Sequence, residues 1–376
     1  MRTPGSHARP RLVHQGTFVV RTPALPVDTL RAWHAAGDPR ARRAWLAELL
    51  TRADIREALF VASPSLHESL AGWHPDRTDD SALATERTCL RYLARMAYRC
   101  TPFGLFATVA TGAIVAGGEL AVPGWRAATR HVRLDNDYVY ALAAAVRSLP
   151  ELRDALVFVP NSSLMQTASG LRYAEIAVSG NQRSFRFVEV EPSEPLTAVL
   201  ARAADGCGLP VLRDLLCEDP EISADDANHY LDQLVAAQVL VATLDTPVTG
   251  PEPLDALSAR LHEAAAAAAR LTGAADPTHP APAVEPGVAQ RLAAAVDDIR
   301  ASLERLEAAP LGVSTDAYVA IADALGQHLP TKPDVAKTFQ VDTHYREPLA
   351  LDARAADAIA DAASALFAAM PAERRP

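Results

Sequence analysis

The stretch from Arg87 to Phe106 constrains this chain most, because regularly spaced arginines run directly into a Thr-Pro-Phe-Gly turn. Arginine recurs at every fourth position, and a helix turns by about 100° per residue, so the arginines drift only about 40° per step and predict one continuous basic ridge. Leucine and alanine side chains fall on another side and predict a core-facing stripe. Pro102 predicts the end of the helix, since proline lacks the N–H and disfavours helical geometry before it. The ridge consists of Arg87, Arg91, Arg95 and Arg99.

The charge around this ridge is opposite to the charge of the whole chain. The formal net charge is −10, which argues against nonspecific binding of the whole protein along a nucleic acid. Residues 87–133 nevertheless contain seven arginines, no lysine and a single acid, Glu119. Like charges on one helix face repel each other, and only Glu86 is near enough in sequence to offset the repulsion. We therefore expect one defined anionic partner; a solvated helix face is the alternative that the residues leave open.

The composition is that of an ordinary globular protein. Hydrophobic residues make up 49% and charged residues 22% of the 376 positions, which allows two or three domains with their own cores. No window approaches the ~18 to 20 apolar residues of a membrane-spanning helix, and no apolar signal segment follows the N-terminus. The four cysteines have no paired spacing and no histidine cluster beside them, so we expect neither a metal site nor a disulfide framework, and a cytoplasmic location.

The hydrophobic periodicity predicts an α+β fold of mixed helices and short antiparallel sheets in three segments. Residues 1–154 combine the basic ridge with strands on both sides of it. Residues 155–250 follow the order of three strands, three helices and one strand, which is typical of a winged-helix-like unit. Residues 251–376 hold long helices, a proline-rich linker at 272–287 and a late strand. The predicted strands cover residues 12–20, 105–115, 131–134, 155–159, 171–178, 183–190, 239–241 and 335–344.

Standard catalytic motifs are missing from the sequence. It has no phosphate-binding loop, no dinucleotide fingerprint, no nucleophile elbow and no zinc-protease motif. Asp135, Asp137 and Asp342 could act as general acids or bases. Single aspartates at helix starts and strand ends are more often caps or ion-pair partners, and Asp135 in particular is expected to cap a helix that runs to about Ser148.

A series of short motifs resembles the N-terminal part of the lantibiotic dehydratase family. The motifs occur in family order across nearly the whole chain, and the central one is specific enough to make chance similarity a poor explanation. The central motif is Arg95-Met-Ala-Tyr-Arg99-Cys-Thr101-Pro-Phe-Gly-Leu-Phe, and the others are Phe18-Val-Val-Arg21-Thr-Pro, Leu134-Asp135, residues 249–253 and Phe339-Gln-Val-Asp342.

In that family the N-terminal region is a glutamylation domain, which takes glutamate from glutamyl-tRNA and esterifies Ser or Thr of a ribosomally made precursor peptide. A separate C-terminal domain then eliminates glutamate and leaves dehydroamino acids. The resemblance thus implies glutamyl-tRNA as co-substrate, no other cofactor, and the charged tRNA end as the anion at the ridge. Arginine suits phosphate because its guanidinium is a planar, bidentate donor that stays charged. The implied site residues are Arg95, Arg99, Thr101, Asp135 and Asp342, with Arg87 and Arg91 as further tRNA contacts.

The resemblance also gives the winged-helix-like segment a role. In the family, a similar unit binds the leader of the precursor peptide by adding it as a strand to a sheet edge. Here the edge would be Arg183–Val190 and the facing wall Ala224–Ala237. DNA binding is less favoured, because acidic residues are concentrated in this segment. The expected contact residues are Arg183, Phe185, Phe187, Tyr230 and Leu234.

The assembly implied by the resemblance involves more than this chain. Family members have a longer glutamylation domain and an elimination domain, so we expect a second dehydratase subunit to complete the site, and a homodimer is a further expected assembly. One alternative is a noncatalytic, leader-binding scaffold or remnant of such an enzyme. Another is a component of an aminoacyl-tRNA-dependent peptide ligase, because some relatives attach an amino acid from aminoacyl-tRNA to a peptide C-terminus.

Overall fold

The computed structural model describes residues 11–179, 182–244, 250–271 and 287–370, without the side chains of residues 177–183. Helices and short sheets alternate in this part of the chain, so the predicted α+β class is confirmed. The strands are β1 (Thr17–Pro23), β2 (Ala107–Val115), β3 (Thr129–Leu134), β4 (Val157–Pro160), β5 (Met165–Gln166), β6 (Leu171–Ser179), β7 (Gln182–Val190), β8 (Cys207–Gly208), β9 (Leu240–Ala242), β10 (Phe339–His344) and β11 (Leu349–Asp352).

The helices begin and end close to the capping and helix-breaking residues of the sequence. Ser or Asp caps several of them, as at Ser193 and Ser223, because a side-chain oxygen there accepts a free N–H of the first turn. The helices are α1 (Asp28–Ala35), α2 (Pro39–Leu49), α3 (Ala53–Ala62), α4 (Pro64–Ala71), α5 (Asp80–Tyr98), α6 (Asn136–Arg147), α7 (Glu194–Arg202), α8 (Leu209–Leu216), α9 (Ala224–Ala236), α10 (Pro253–Leu271), α11 (Val288–Ala308), α12 (Asp316–Gly326), α13 (Val335–Thr338) and α14 (Ala353–Ala369).

Two compact units are formed, each from separate stretches of chain. The first contains Met1–Arg133, Glu304–Tyr318 and Phe339–Pro376, and the second contains Leu134–Leu303 and Val319–Thr338. The division into domains after residues 154 and 250 stays a prediction. Most of the predicted proline-rich linker, residues 272–286, lies outside the described residues, as does Thr249 of the fourth motif.

The sheet of the first unit has the order β1-β2-β10-β3, and β11 also pairs with β2. Strand β1 runs antiparallel to β2 along its whole length, from Thr17 opposite Ala113 to Pro23 opposite Ala107. Strands β10 and β11 are parallel to β2, so this sheet is mixed. The sequence indicated short antiparallel sheets and did not indicate the parallel pairs, because the partners are far apart in the chain.

A buried ion pair fastens the segment after α11 to α3 within the first unit. Arg130 and Glu57 have no exposed surface. The Glu57 carboxylate accepts hydrogen bonds from the Arg130 guanidinium and, at 2.8 Å, from the Tyr318 hydroxyl. Arg130 also donates to three backbone carbonyls in residues 306–310, at 2.7 to 2.9 Å. Both buried charges therefore have partners, which is the condition for tolerating them in a core.

The second unit contains two small sheets, β8-β4-β9 and β5-β6-β7. The predicted order of three strands, three helices and a closing strand is present, with the short β5 and β8 in addition. Helix α8 packs against α9. The expected hairpin turn between β6 and β7 includes residues 180 and 181, which lie outside the described residues. The winged-helix assignment stays a prediction.

The late strand is shorter than expected. A strand over 335–344 was expected, yet Val335–Thr338 forms one helical turn and β10 starts at Phe339. Asp334 explains the difference, because its carboxylate accepts the Ala336 N–H at 3.1 Å and its carbonyl accepts the Lys337 N–H at 2.8 Å. Such a local cap competes with a strand. In the described part of the chain, no helix is both long and apolar enough to cross a membrane.

Candidate functional site

Helix α5 presents the first three arginines of the predicted ridge. Its N-terminus is capped by Asp79, which accepts the Ala82 N–H at 3.1 Å, and the hydrogen bond from Arg77 lowers the pKa of the Asp79 carboxyl. The helix buries a stripe on its other side and ends at Tyr98. Proline clashes with the carbonyl four residues before it, and for Pro102 that carbonyl belongs to Tyr98. The buried stripe consists of Ala82, Cys89, Leu93, Met96 and Ala97.

The predicted ridge is wrong at its last residue. Arg99 follows the helix with φ −110° and ψ 122°, an extended conformation, so it does not continue the helical row of Arg87, Arg91 and Arg95. Its N–H still donates to the Arg95 carbonyl at 3.0 Å. Arg99 therefore projects from the loop, whereas the other three arginines project from helix α5.

The charges of these arginines are not neutralised by neighbouring acids. Within the described residues, none of the four takes part in an ion pair, and Arg91 donates only to Thr88 Oγ1, at 3.1 Å. Glu86, which was expected to offset the repulsion, instead forms a part-buried pair with Arg43 at 2.9 Å. Arg87 and Arg91 are exposed and border an open depression along α5. An anion could approach here without displacing a protein carboxylate.

The loop from Arg99 to Phe106 is firmly held although Arg99 and Thr101 are exposed. Phe106 is fully buried, and its carbonyl accepts the Ala24 N–H at 3.0 Å. Gly104 has φ +52°, and a Cβ atom built on it would lie 3.0 Å from Val61 Cγ1, so this turn favours glycine. The loop thus presents a guanidinium and a hydroxyl from a fixed backbone.

Strand β10 brings Asp342 close to the end of this loop. The register Thr343 opposite Thr108 sets Asp342 beside the start of β2, which directly follows Phe106. Thr343 Oγ1 donates to the Ala107 carbonyl at 2.8 Å and points into the core. Side chains alternate along a strand, so Asp342 points to the other, half-exposed face.

Arg133 is a neighbour of Asp342 that sequence reasoning missed. Its Nη2 lies 3.7 Å from Asp342 Oδ2, and its Nε donates to Gln340 Oε1 at 3.0 Å. Arg133 was counted only as part of the basic window. No local signal links the two side chains, because their proximity depends on β3 and β10 being neighbours in the sheet.

Asp135 caps a helix, as its position in the sequence predicted. It precedes α6 and accepts the Asp137 N–H at 2.9 Å, and its own N–H donates to the Thr338 carbonyl at 2.8 Å. It belongs to the second unit, whereas the other expected site residues near the loop belong to the first. A catalytic role for Asp135 stays a prediction.

Strand β7 is the edge of its sheet in the described part of the chain, as expected for strand addition. The side chains of Phe185 and Phe187 are 69% and 78% exposed, far above what phenylalanine in a core would show. The backbone of Arg183 pairs with Val178, and its side chain lies outside the described residues.

The outward direction of the β7 backbone follows from the pairing of β6. The N–H and carbonyl of Ile176 are bonded to the Gln238 side chain, both at 2.9 Å, so they do not bond to the facing residue Phe185. Hydrogen-bonded and non-hydrogen-bonded pairs alternate in an antiparallel ladder. The N–H and carbonyl groups of Phe185 and Phe187 therefore face away from β6, toward an incoming strand.

The two expected contact residues on helix α9 differ in exposure. Tyr230 is half-buried, while Leu234 is only 7% exposed. Leu234 lies on the same stripe as Ala227 and Leu231, which forms the core side of the helix. An apolar residue at this spacing is needed for packing, so Leu234 belongs to the core side of α9. A role of α9 in leader binding stays a prediction.

Comparisons with known proteins agree in pointing to one family. The family model described as "Lantibiotic dehydratase, N terminus" matches residues 51–376. The subtilin biosynthesis protein SpaB of Bacillus subtilis is 24% identical over 212 residues, which are 54% of this chain and 20% of SpaB.

Solved structures show the same fold. The crystal structure of the tRNA-dependent lantibiotic dehydratase MibB from Microbispora sp. 107891 matches 95% of this chain and 31% of MibB, with a TM-score of 0.65 and 22% identity. The glutamylation domain TbtB from thiomuracin biosynthesis, bound to 5'-phosphodesmethylglutamycin, matches 84% of this chain and 35% of TbtB, with a TM-score of 0.55 and 17% identity. The chain spans about a fifth of the length of SpaB and less than a third of MibB.

Proposed function

The chain belongs to the family of lantibiotic dehydratase N-terminal regions, and on this basis we propose that it takes part in tRNA-dependent glutamylation of a ribosomally made precursor peptide. The proposed reaction transfers glutamate from glutamyl-tRNA to Ser or Thr hydroxyls of the peptide. A subsequent elimination of glutamate would leave dehydroamino acids, as required for lanthipeptides and thiopeptides.

One observation carries this proposal: the arginines around the Thr-Pro-Phe-Gly loop have no acidic partners in the described residues, although the whole chain is acidic. Leaving four cations close together without counter-charges costs stability. Binding an anion there would remove the cost. A charged tRNA end offers both phosphates and the glutamyl carboxylate, which suit the bidentate guanidinium.

The proposed roles follow the geometry of the loop. Arg95 and Arg99 hold the tRNA acceptor end or the glutamyl group, and Arg87 and Arg91 contact phosphates farther along the tRNA. Their contacts would release counterions, so binding should weaken steeply with salt. Thr101, on the same loop, or Asp342 of the same unit would steer the peptide hydroxyl.

A transfer assay tests the proposal. The chain is incubated with labelled glutamyl-tRNA and the precursor peptide, first alone and then with a candidate second dehydratase subunit, and label in the peptide is measured. A second dehydratase subunit and a homodimer are the two proposed assemblies. Transfer of another amino acid to the peptide C-terminus instead would support the peptide-ligase alternative.

A second candidate function is a noncatalytic scaffold that binds the leader of the precursor peptide. The exposed Phe185 and Phe187 on the edge strand β7 favour it, because strand addition uses free backbone groups for affinity and side-chain contacts for specificity. This candidate requires leader binding but no transfer. Leader binding with no transfer, both alone and with the second subunit, would therefore favour the scaffold over the enzyme.

A further inference from the structure

The side chain of Arg95 is stacked on an aromatic ring of the loop that follows its helix. Its Cζ atom lies 3.9 Å from the centroid of the Phe103 ring. A guanidinium at this distance is attracted by the electron-rich face of the ring, and the attraction grows as water is excluded. Arg95 is half-buried, so the stack is partly shielded from solvent.

This stack is the main contact that orients the Arg95 guanidinium in the described part of the chain. The Nε atom is buried without a hydrogen-bond acceptor, and Arg95 has no ion pair there. Arg43 in the same unit is held differently, by a direct bond to Glu86 at 2.9 Å. The Phe103 ring thus orients the N–H donors of Arg95, and no carboxylate of the described residues occupies them.

Phe103 is itself fixed by the loop. Its ring packs against Phe106 with centroids 5.5 Å apart and a 59° tilt, and its carbonyl accepts the Phe106 N–H at 3.1 Å. Phe106 is fully buried, and Gly104 between them adopts a conformation that favours glycine. Phe103 itself is 36% exposed, and its contacts with Phe106 hold the ring beside the Arg95 guanidinium.

We propose that Phe103 is a positioning residue, whose ring fixes the plane of the Arg95 guanidinium for a bidentate contact with a carboxylate or phosphate. The inference rests on the proposed function, in which glutamyl-tRNA supplies this anion. A bidentate contact needs both N–H donors aligned with two oxygens. A guanidinium that is already oriented loses less side-chain entropy on binding than a free one.

The test is a double-mutant cycle with glutamyl-tRNA as the probe. The Phe103→Leu variant keeps an apolar side chain without a ring face and should raise the Kd for glutamyl-tRNA by about 2- to 30-fold, the range of a cation–π contact. Phe103→Tyr keeps the ring and should bind like the wild type. In an Arg95→Ala background, Phe103→Leu should have no further effect, because the group that it positions is gone.

Two controls separate positioning from folding. Leu366→Ala removes an exposed apolar side chain from α14 and should leave tRNA affinity unchanged. Thermal unfolding of each variant shows whether the fold persists. If Phe103→Leu weakens binding equally with and without Arg95, or does not weaken it at all, the proposed positioning role is wrong.

A ligand-free measurement distinguishes this inference from the proposed function. The Nε–H resonance of Arg95, assigned by its loss in Arg95→Lys, should show restricted motion in the wild type and Phe103→Tyr, and free motion in Phe103→Leu. A restricted Arg95 in a protein that binds no glutamyl-tRNA would contradict the proposed function alone. A freely moving Arg95 in the wild type would contradict the positioning role.

Discussion

The four arginines around the Thr-Pro-Phe-Gly loop differ in how the protein holds them. Arg95 is stacked and half-buried, Arg99 extends from the loop, and Arg87 and Arg91 lie exposed on α5. We expect the double change Arg95→Ala and Arg99→Ala to weaken glutamyl-tRNA binding most. A charged hydrogen bond contributes about 1.5 to 3 kcal/mol, so losing both should raise the Kd at least 100-fold, as measured by filter binding.

The matched control is Arg354→Ala, which removes an exposed arginine from α14, beside the end of β2 that is opposite the loop. Its effect should stay within about twofold, because a distant surface charge is screened at physiological salt. The dependence of affinity on salt should also become less steep in the double variant, since fewer counterions are released. Equal losses in the control and the double variant would mean that the loop has no special role.

Glu57 is essential for the buried network of the first unit. The Glu57→Gln change keeps the shape but leaves the Arg130 charge without its partner inside the core. Breaking a buried ion pair on one side costs about 3 to 5 kcal/mol. Urea unfolding should show this loss in the free energy of unfolding. The exposed pair of Arg31 and Asp28 offers the comparison, since Asp28→Asn should cost less than about 1 kcal/mol.

Tyr318 should make the protein sensitive to alkaline pH. Burial raises the pKa of Tyr318 to about 12, compared with about 10 for an exposed tyrosine. The folded state therefore holds the proton more tightly than the unfolded state. Its contribution to stability is complete below pH ~10 and is lost as the pH rises through about 12.

Urea unfolding between pH 8 and pH 11 measures this effect. The free energy of unfolding should fall above pH ~10, and it should fall less steeply in Tyr318→Phe. A slope will remain in that variant, because burial also raises the pKa of the Cys89 thiol to about 12. An identical pH dependence in the wild type and Tyr318→Phe would show that the hydroxyl is not buried in solution.

At the scale of elements, strand β7 allows a matched pair of proline substitutions. The N–H of Phe187 faces away from β6, and the N–H of the neighbouring Val188 faces toward it. Proline removes one donor and is tolerated mainly on sheet edges. Phe187→Pro should therefore weaken binding of the leader peptide while the protein stays folded, whereas Val188→Pro should disrupt the hairpin.

Fluorescence anisotropy with a labelled leader peptide and far-UV circular dichroism measure the two effects. Phe187→Ala adds a third arm, since it removes the exposed side chain and keeps the N–H donor. If Phe187→Pro bound the leader as tightly as the wild type, strand addition at this edge would be excluded.

Elements with strong local signals could be predicted from the sequence. The predicted features are the cap Asp135 at the start of α6, the helix end before Pro102, and the strands β2, β3, β6 and β7. They all depend on contacts within a few residues. The start of β10 was missed because Asp334 forms a local cap that outweighs the alternating pattern. Arg99 was predicted to be helical but is extended, because the clash of Pro102 acts on the carbonyl four residues upstream.

At the scale of the whole molecule, local patterns carry little information. Each unit is assembled from separate stretches of chain, and the parallel pairing of β2 with β10 joins residues such as Thr108 and Thr343. Nothing near either residue specifies the other. For the same reason, the contacts of Arg133 with Asp342 and of Glu57 with Arg130 could not be predicted. The candidate site residues of the loop could be named, because they belong to one continuous motif.

We propose that this chain takes part in the tRNA-dependent glutamylation of a precursor peptide. The most direct test is mass spectrometry of the precursor peptide after incubation with the chain, the second dehydratase subunit and glutamyl-tRNA. We predict that Ser or Thr residues gain glutamyl groups, and that the gain is lost when the chain is omitted or carries Arg95→Ala with Arg99→Ala. An unmodified peptide in the complete mixture, or modification that persists without this chain, would contradict the claim.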